Sequence, residues 1–272
     1  MAKRVFERNG FTLIELLMVI VISGILAVGI TTFIAQTSDT LVSSSQRLNL
    51  ATTANVISER ISREIRSALP NSVRIFDDGS NSCLEFVPAI NSSEYLSVPL
   101  AGPANSFQII PLLSGVNRGY VSVYPSSSNA VYNTSSNTVT QVQANIAAAP
   151  APAPAGVQQV TFDGASSVQF PTDSPTRRFY LTTQPVAFCE DSNGFVWRYF
   201  DYGFHSNSRS SLPPAANQRQ VIGNSLQPGS LAFELTPAQL QRNAVVRVSM
   251  VITSPRNESV AIAQEVQLRN VP

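Results

Sequence analysis

The chain has one lysine (Lys3), one histidine (His205), one tryptophan and two cysteines in 272 residues, and each scarcity excludes something. Charged residues make up 13% of the chain and the formal net charge is +1. The clustered surplus of Lys and Arg that nucleic acid demands is therefore missing, and no nucleic-acid partner is expected. A single imidazole in a Ser-rich stretch, with no Gly-x-Ser-x-Gly elbow, cannot assemble a His-dependent hydrolytic triad. His205 reads as a solvated loop residue, and no enzyme is expected. Zinc would need more ligands than that imidazole and two distant thiols, so no such metal site is expected.

Cys83 and Cys189 are too few for a disulfide framework but have the right parity for one bridge. If the segment carrying them is exported they can pair, closing a loop of roughly 100 residues worth up to about 4–5 kcal/mol on chain-entropy grounds. Two unrelated buried thiols are the competing reading.

A standard secretory signal is also lacking, because the order of its parts is reversed. Residues 1–10 are short, basic and polar, with Lys3, Arg4 and Arg8 against Glu7, and the small residue Gly10 precedes the apolar stretch instead of following it. Cleavage after Gly10 would remove a leader of residues 1–10 and leave the hydrophobic segment on the mature chain. Residues 16–38 carry no charged side chain and, at about 1.5 Å per residue, are long enough to cross a hydrocarbon core of roughly 30 Å. Ser23, Gly24, Ala27 and Gly29 let neighbouring helices approach closely. Glu15 is the exception in this apolar run, and a carboxylate there is costly in lipid. Once cleavage exposes the α-amino group of Phe11, the two charges can pair between adjacent subunits and set the axial register of packed helices. A merely interfacial Glu15 is the other reading.

The string Gly10-Phe11-Thr12-Leu13-Ile14-Glu15, after a basic leader and before an uninterrupted apolar helix, resembles the processing motif of type IV prepilins and type II secretion pseudopilins. The resemblance implies cleavage by a prepilin peptidase/methyltransferase between Gly10 and Phe11 and N-methylation of Phe11. It implies a single-pass anchor in membrane lipid, a periplasmic head, and assembly by an inner-membrane platform and ATPase beside other minor and major pilins at the cell surface. Weaker strings resemble a minor pilin of mannose-sensitive haemagglutinin (MSHA) pilus biogenesis. They are residues 59–66 followed by Leu69-Pro70-Asn71-Ser72-Val73, then Cys83-Leu84-Glu85-Phe86-Val87-Pro88, and Arg269-Asn270-Val271-Pro272.

Beyond Asp39 apolar residues recur at helical spacing through Leu50, Ala54, Ile57, Ile61, Ile65 and Leu69, and Pro70 stops the pattern. Glu59 with Arg63 and Arg60 with Glu64 form i, i+4 pairs on the other face. The spacing predicts one helix over 12–69, with a membrane-spanning part (11–38) and an amphipathic part (39–69). Two helices bent near 37–45, where Ser and Thr crowd, are the competing arrangement. Residues 70–272 switch to period two, as in Tyr120-Val121-Ser122-Val123-Tyr124 and residues 245–252, which predicts an antiparallel β-rich head. The expected fold class is α+β and pilin-like. Asn193-Gly194 is the strongest hairpin signal, with the Trp197 strand supplying core. The Ala and Pro alternation at 147–156 predicts an extended loop that divides the head into two sheets, and residues 205–217 predict another loop.

Asp77-Asp78-Gly79-Ser80-Asn81 and Asp191-Ser192-Asn193-Gly194 look like partial calcium loops but lack the bidentate Glu of an EF-hand. Turns explain them better, and calcium is the one cofactor kept open. Phe195, Trp197, Tyr199, Phe200, Tyr202 and Phe204 form either a recognition surface or, more simply, packing across a sheet. A structural minor pilin that initiates or caps a pilus is the leading expectation. A type II secretion pseudopilin and a membrane-anchored or tip adhesin are its rivals.

Overall fold

The computed structural model of the chain describes residues 10–77, 82–112, 115–150, 152, 154, 156–207, 212, 216–238 and 243–268. The leader as far as Asn9, Asp78-Gly79-Ser80-Asn81, parts of the 205–217 loop and the terminal Arg269-Asn270-Val271-Pro272 lie outside the described residues. The chain divides into two compact units, Met1–Asn49 and Leu50–Pro272.

Helix α1 (Leu13–Ile65) runs continuously through 37–45, so the chain forms one helix there and not two. In its Ser- and Thr-rich stretch the hydroxyls are satisfied within the same helix, Thr37 donating to the Phe33 carbonyl at 2.8 Å and Thr40 to the Gln36 carbonyl at 2.9 Å. In the first unit nearly every side chain is exposed, including Leu16, Leu17, Ile20, Ile25 and Phe33. In the second unit Leu50, Ala54, Ile57, Ile61 and Ile65 are buried along one stripe. The helix stops at Ile65, short of the expected Leu69. Its last turn tightens through Ser67 N–H to the Glu64 carbonyl and Ala68 N–H to the Ile65 carbonyl. Pro70 disfavours the α conformation at Leu69, whose N–H donates instead to the Val87 carbonyl.

The chain then lays down β1 (Arg74–Asp77), β2 (Ser82–Phe86), β3 (Ala89–Glu94), β4 (Ser106–Ile109) and β5 (Arg118–Val123). A one-turn helix α2 (Ser128–Tyr132), capped by the Ser127 hydroxyl, precedes β6 (Val139–Ala148) and β7 (Gln158–Phe162). There follow β8 (Arg178–Thr182), β9 (Val186–Glu190), β10 (Val196–Tyr199) and β11 (Arg219–Gly223). The last strands are β12 (Ala232–Thr236), β13 (Val245–Thr253) and β14 (Ser259–Gln267). Every ladder is antiparallel.

Three sheets result, ordered β1-β2-β9-β10-β11, β12-β13-β14 and β3-β8-β5-β6-β7-β4. The stripe of α1 shares one core with the inner faces of the first two, through Leu84, Phe86, Phe188, Val246, Val248, Met250 and Ile252. The six-stranded sheet closes on itself. Its outer strands meet where Tyr95 bridges Ile109, Leu96 N–H reaches the Gln108 carbonyl and Ile110 N–H reaches the Glu94 carbonyl. That closure makes a small barrel filled by Phe107, Phe162, Phe170 and Phe179. The Ala and Pro segment therefore does not divide two sheets. It joins β6 to β7 as neighbours in the same barrel, with Ala149 N–H on the Val157 carbonyl, because its prolines interrupt the ladder only beyond the last paired residues.

Helix and sheet approach closely in the shared core at Gly223, where a Cβ would stand 2.1 Å from Ile57 Cδ1 and 2.4 Å from Cγ1. Gly223→Ala is expected to cost about 1–3 kcal/mol by overpacking. Adding Ile57→Val, which removes the clashing methyl, should recover part of that loss in a double-mutant cycle read by chemical denaturation. Strictly additive losses would mean that the two residues do not meet.

Candidate processing and assembly site

Gly10 and Phe11 precede the first turn of α1 and are exposed, Phe11 at 73%. Thr12 sits immediately before the helix. Its hydroxyl accepts the Glu15 N–H at 3.4 Å and its carbonyl accepts the Leu16 N–H at 3.2 Å. Thr12-x-x-Glu15 thus has the sequence of a capping box, and the Glu15 carboxylate stands in the first turn, where the partial positive charge of the helix N-terminus favours an anion. The role of Thr12 was open to sequence reading, since Ser or Thr three residues before Glu at the head of an apolar run is itself a start signal. Beyond Glu15, α1 is long and apolar enough to cross a membrane, and its apolar window is wholly unburied. The Thr31 and Thr32 hydroxyls donate to the Ala27 and Val28 carbonyls at 3.0 Å, so these polar groups need no water.

Residues 7–31 match the family model of the prokaryotic N-terminal methylation motif. The chain has a prepilin-type N-terminus. No curated protein and no solved structure is significantly similar to the chain. The motif associates this prepilin segment with type IV pilins and pseudopilins, structural subunits that are processed by prepilin peptidase, anchored in the inner membrane and handed to an assembly machinery.

The head holds the other residues singled out in the sequence in structural roles. Cys83 and Cys189 face each other across β2 and β9 and are disulfide-bonded, with Cα atoms 4.5 Å apart. Asp191 opens the loop between β9 and β10. Its Oδ1 accepts the N–H groups of Asn193 (2.9 Å) and Phe195 (3.0 Å), and its Oδ2 accepts the Trp197 indole N–H at 2.9 Å. Gly194 follows at φ +73°, where a Cβ would meet the Leu226 carbonyl oxygen at 2.2 Å, so only glycine fits. The second calcium-like string is therefore a hairpin loop whose carboxylate is already occupied. Only Val196 and Tyr199 of the Trp197 strand are buried, whereas Trp197 is half-buried with the Arg219 guanidinium 4.7 Å from its ring centroid. The six aromatics do not form one surface. Phe204 is buried against Tyr120, Tyr199 lies beside the disulfide, and Phe200 packs on the helix-facing core. His205 keeps partial contact with solvent, while its Nε2 bonds the Tyr202 carbonyl at 2.6 Å and the two rings stack.

Sequence reasoning missed the most heavily buried charge. Glu85 is fully buried and pairs with Arg74, directly opposite in the β1–β2 register, while the Tyr202 hydroxyl donates to its Oε1 at 2.6 Å. The Arg74 guanidinium also covers the Tyr132 ring at 3.5 Å and donates to the His205 and Ser206 carbonyls. Burial first, and the Glu85 charge second, push the Tyr132 and Tyr202 hydroxyls well above the ordinary tyrosine value, so both stay neutral donors. Glu190 is likewise buried. Its oxygens accept the Gly229 and Leu231 N–H groups, and burial raises its pKa despite those bonds.

For Asp191, burial works upward, but the hydrogen bonds from Trp197, Phe195 and Asn193 and the Arg219 charge together carry its pKa below 3.8. A depressed folded-state value means that its stabilisation is present above the unfolded-state pKa and lost as pH falls through the folded one. Asp191→Ala is expected to cost about 1–3 kcal/mol at pH 7 by orphaning three donors. In thermal melts taken as a pH series, the gap from the parent should narrow below roughly pH 4.

Proposed function

We propose that the chain is a structural minor pilin of an MSHA-type type IV pilus, most like the minor pilin MshO. Prepilin peptidase removes residues 1–10 between Gly10 and Phe11 and methylates the new amine of Phe11. The mature chain waits in the inner membrane with its head in the periplasm. The assembly platform then packs its apolar helix among other minor and major pilins, where it initiates or caps the filament.

The observation that carries this reading is the pairing of an exposed Gly10-Phe11 junction with Glu15, the one acid in an otherwise uncharged and wholly exposed helical surface. An unpaired carboxylate in a water-free filament core costs several kcal/mol, whereas pairing with the Phe11 amine of a neighbour offsets that cost. Glu15 therefore acts as an axial register mark between subunits.

Mass spectrometry of protein taken from native filaments should find a chain that begins at N-methylated Phe11. A filament-borne chain retaining residues 1–10 would overturn the reading. Glu15→Val should insert in the membrane at normal levels yet reduce surface pili at least about tenfold, given the several kcal/mol assigned to the pair. Normal piliation would exclude the register role, and loss of protein export with pili intact would reassign the chain to type II secretion.

A further inference from the structure

A cavity of about 560 Å³ opens in the head between the segment that follows α1 and the strands β3 and β8. Its walls carry two arginines, Arg66 and Arg178, and no acid. Seven other described arginines are engaged by a carboxylate or a ring. Arg60, Arg63, Arg74, Arg118, Arg198 and Arg247 each lie against a carboxylate, and Arg219 stacks on Trp197. Among the described residues the side chains of Arg66 and Arg178 take part in no ion pair, although Glu94 stands opposite Arg178 in the β3–β8 register. Arg66 follows the last residue of α1, where the helix C-terminus favours a cation, but that accounts for its charge and not for an unused fork of donors.

The rest of the wall is mixed. Asn91, Ser92 and Asn243 bring amide and hydroxyl groups, Tyr180 brings an aromatic side chain, and Ala68, Pro70 and Ile90 bring an apolar floor. Asn91 is itself steadied, its Nδ2 donating to the Val116 carbonyl at 3.3 Å and its Oδ1 accepting the Ser92 N–H at 3.0 Å. A bare inorganic anion would use the guanidinium groups alone. A ligand with a carboxylate for the forks, hydroxyls for the amides and a C–H face for the apolar floor would use all three, and the volume suits one or two rings. We propose that this cavity binds an acidic saccharide, with Arg66 and Arg178 holding the carboxylate and Asn91, Ser92 and Asn243 reading the ring hydroxyls. The site is independent of the N-terminal machinery and gives the head a ligand in addition to its place in a filament.

Titration calorimetry on the full chain in detergent micelles, with glucuronate as the probe, tests this. Glucuronate should bind, and glucose and acetate should each bind about tenfold or more weakly, since each lacks one half of the recognised chemistry. Arg66→Gln and Arg178→Gln should each weaken glucuronate binding by about tenfold or more at an unchanged melting temperature, while Glu94→Gln, which removes a competing acid, should not weaken it. No heat with glucuronate, equal affinity for acetate, preference for hexaglutamate over glucuronate, or indifference to both arginine substitutions would overturn the proposal. The comparison of glucuronate with glucose and acetate decides the matter on the parent chain even where a variant fails to fold. Failure here leaves the N-terminal processing of Phe11 untouched, and failure of that processing leaves the saccharide titration unchanged.

Discussion

One helix has to meet two environments, and the structure follows from how its apolar residues are distributed between them. From Leu16 to Gln36 α1 is apolar around most of its circumference and exposed within the chain, and its threonine hydroxyls are satisfied by its own carbonyls. From Leu50 the apolar residues contract to a stripe at intervals of three and four, and that stripe is the surface on which the head core is built. Covering the first half in lipid or in a bundle of like helices is thus a requirement of the sequence, whereas covering the second is achieved within the chain. Glu15 matters because it interrupts the part that must be covered from outside.

In the head, the central strands β2 and β9 of the five-stranded sheet are buried on both faces. Leu84, Phe86, Val186 and Phe188 face the helix, while Cys83, Ala187, Cys189 and Tyr199 form a separate cluster with the disulfide on the other side. A strand covered on both faces loses the alternation that marks a half-exposed one, which is why Val186-Ala187-Phe188-Cys189 reads as a continuous apolar run. Glu85 enters the second face only because register sets Arg74 opposite it and the chain returns Tyr202 to its other oxygen. Such a pair contributes little net stability, but removing one partner would strand a charge in a dry interior.

The legible part of the sequence was that governed by local rules. The helix, its amphipathic half, the Asn193-Gly194 hairpin and the β5 and β13 strands follow from period and turn chemistry. The i, i+4 pairs Glu59–Arg63 and Arg60–Glu64 are both formed, although Glu64 also reaches across to Arg198 at 2.7 Å. What depended on long-range pairing was hidden. Nothing near Tyr95 or Ile109 signals that their strands close a barrel, and Arg74 and Glu85 become partners only through register. The Ala and Pro loop was assigned the wrong topological role for the same reason, since composition shows where a ladder stops and not which strands it joins. The N-terminal motif was readable because its chemistry is contiguous. Thr12 was overlooked because the apolar run drew attention away from its cap.

The polar groups of the head sharpen the division of labour between the two units. A carboxylate that accepts several donors has few lone pairs left to act as a base or a metal ligand. Asp191 takes three N–H groups, Glu190 two, and Glu85 an arginine and a tyrosine, while the one imidazole is held by a carbonyl. These residues, which a search for chemistry would select first, are therefore consumed in holding loops onto strands. The contrast with Arg66 and Arg178 is informative for that reason: in a chain with only 13% charged residues, two guanidinium groups line one cavity of the head whose walls carry no acid.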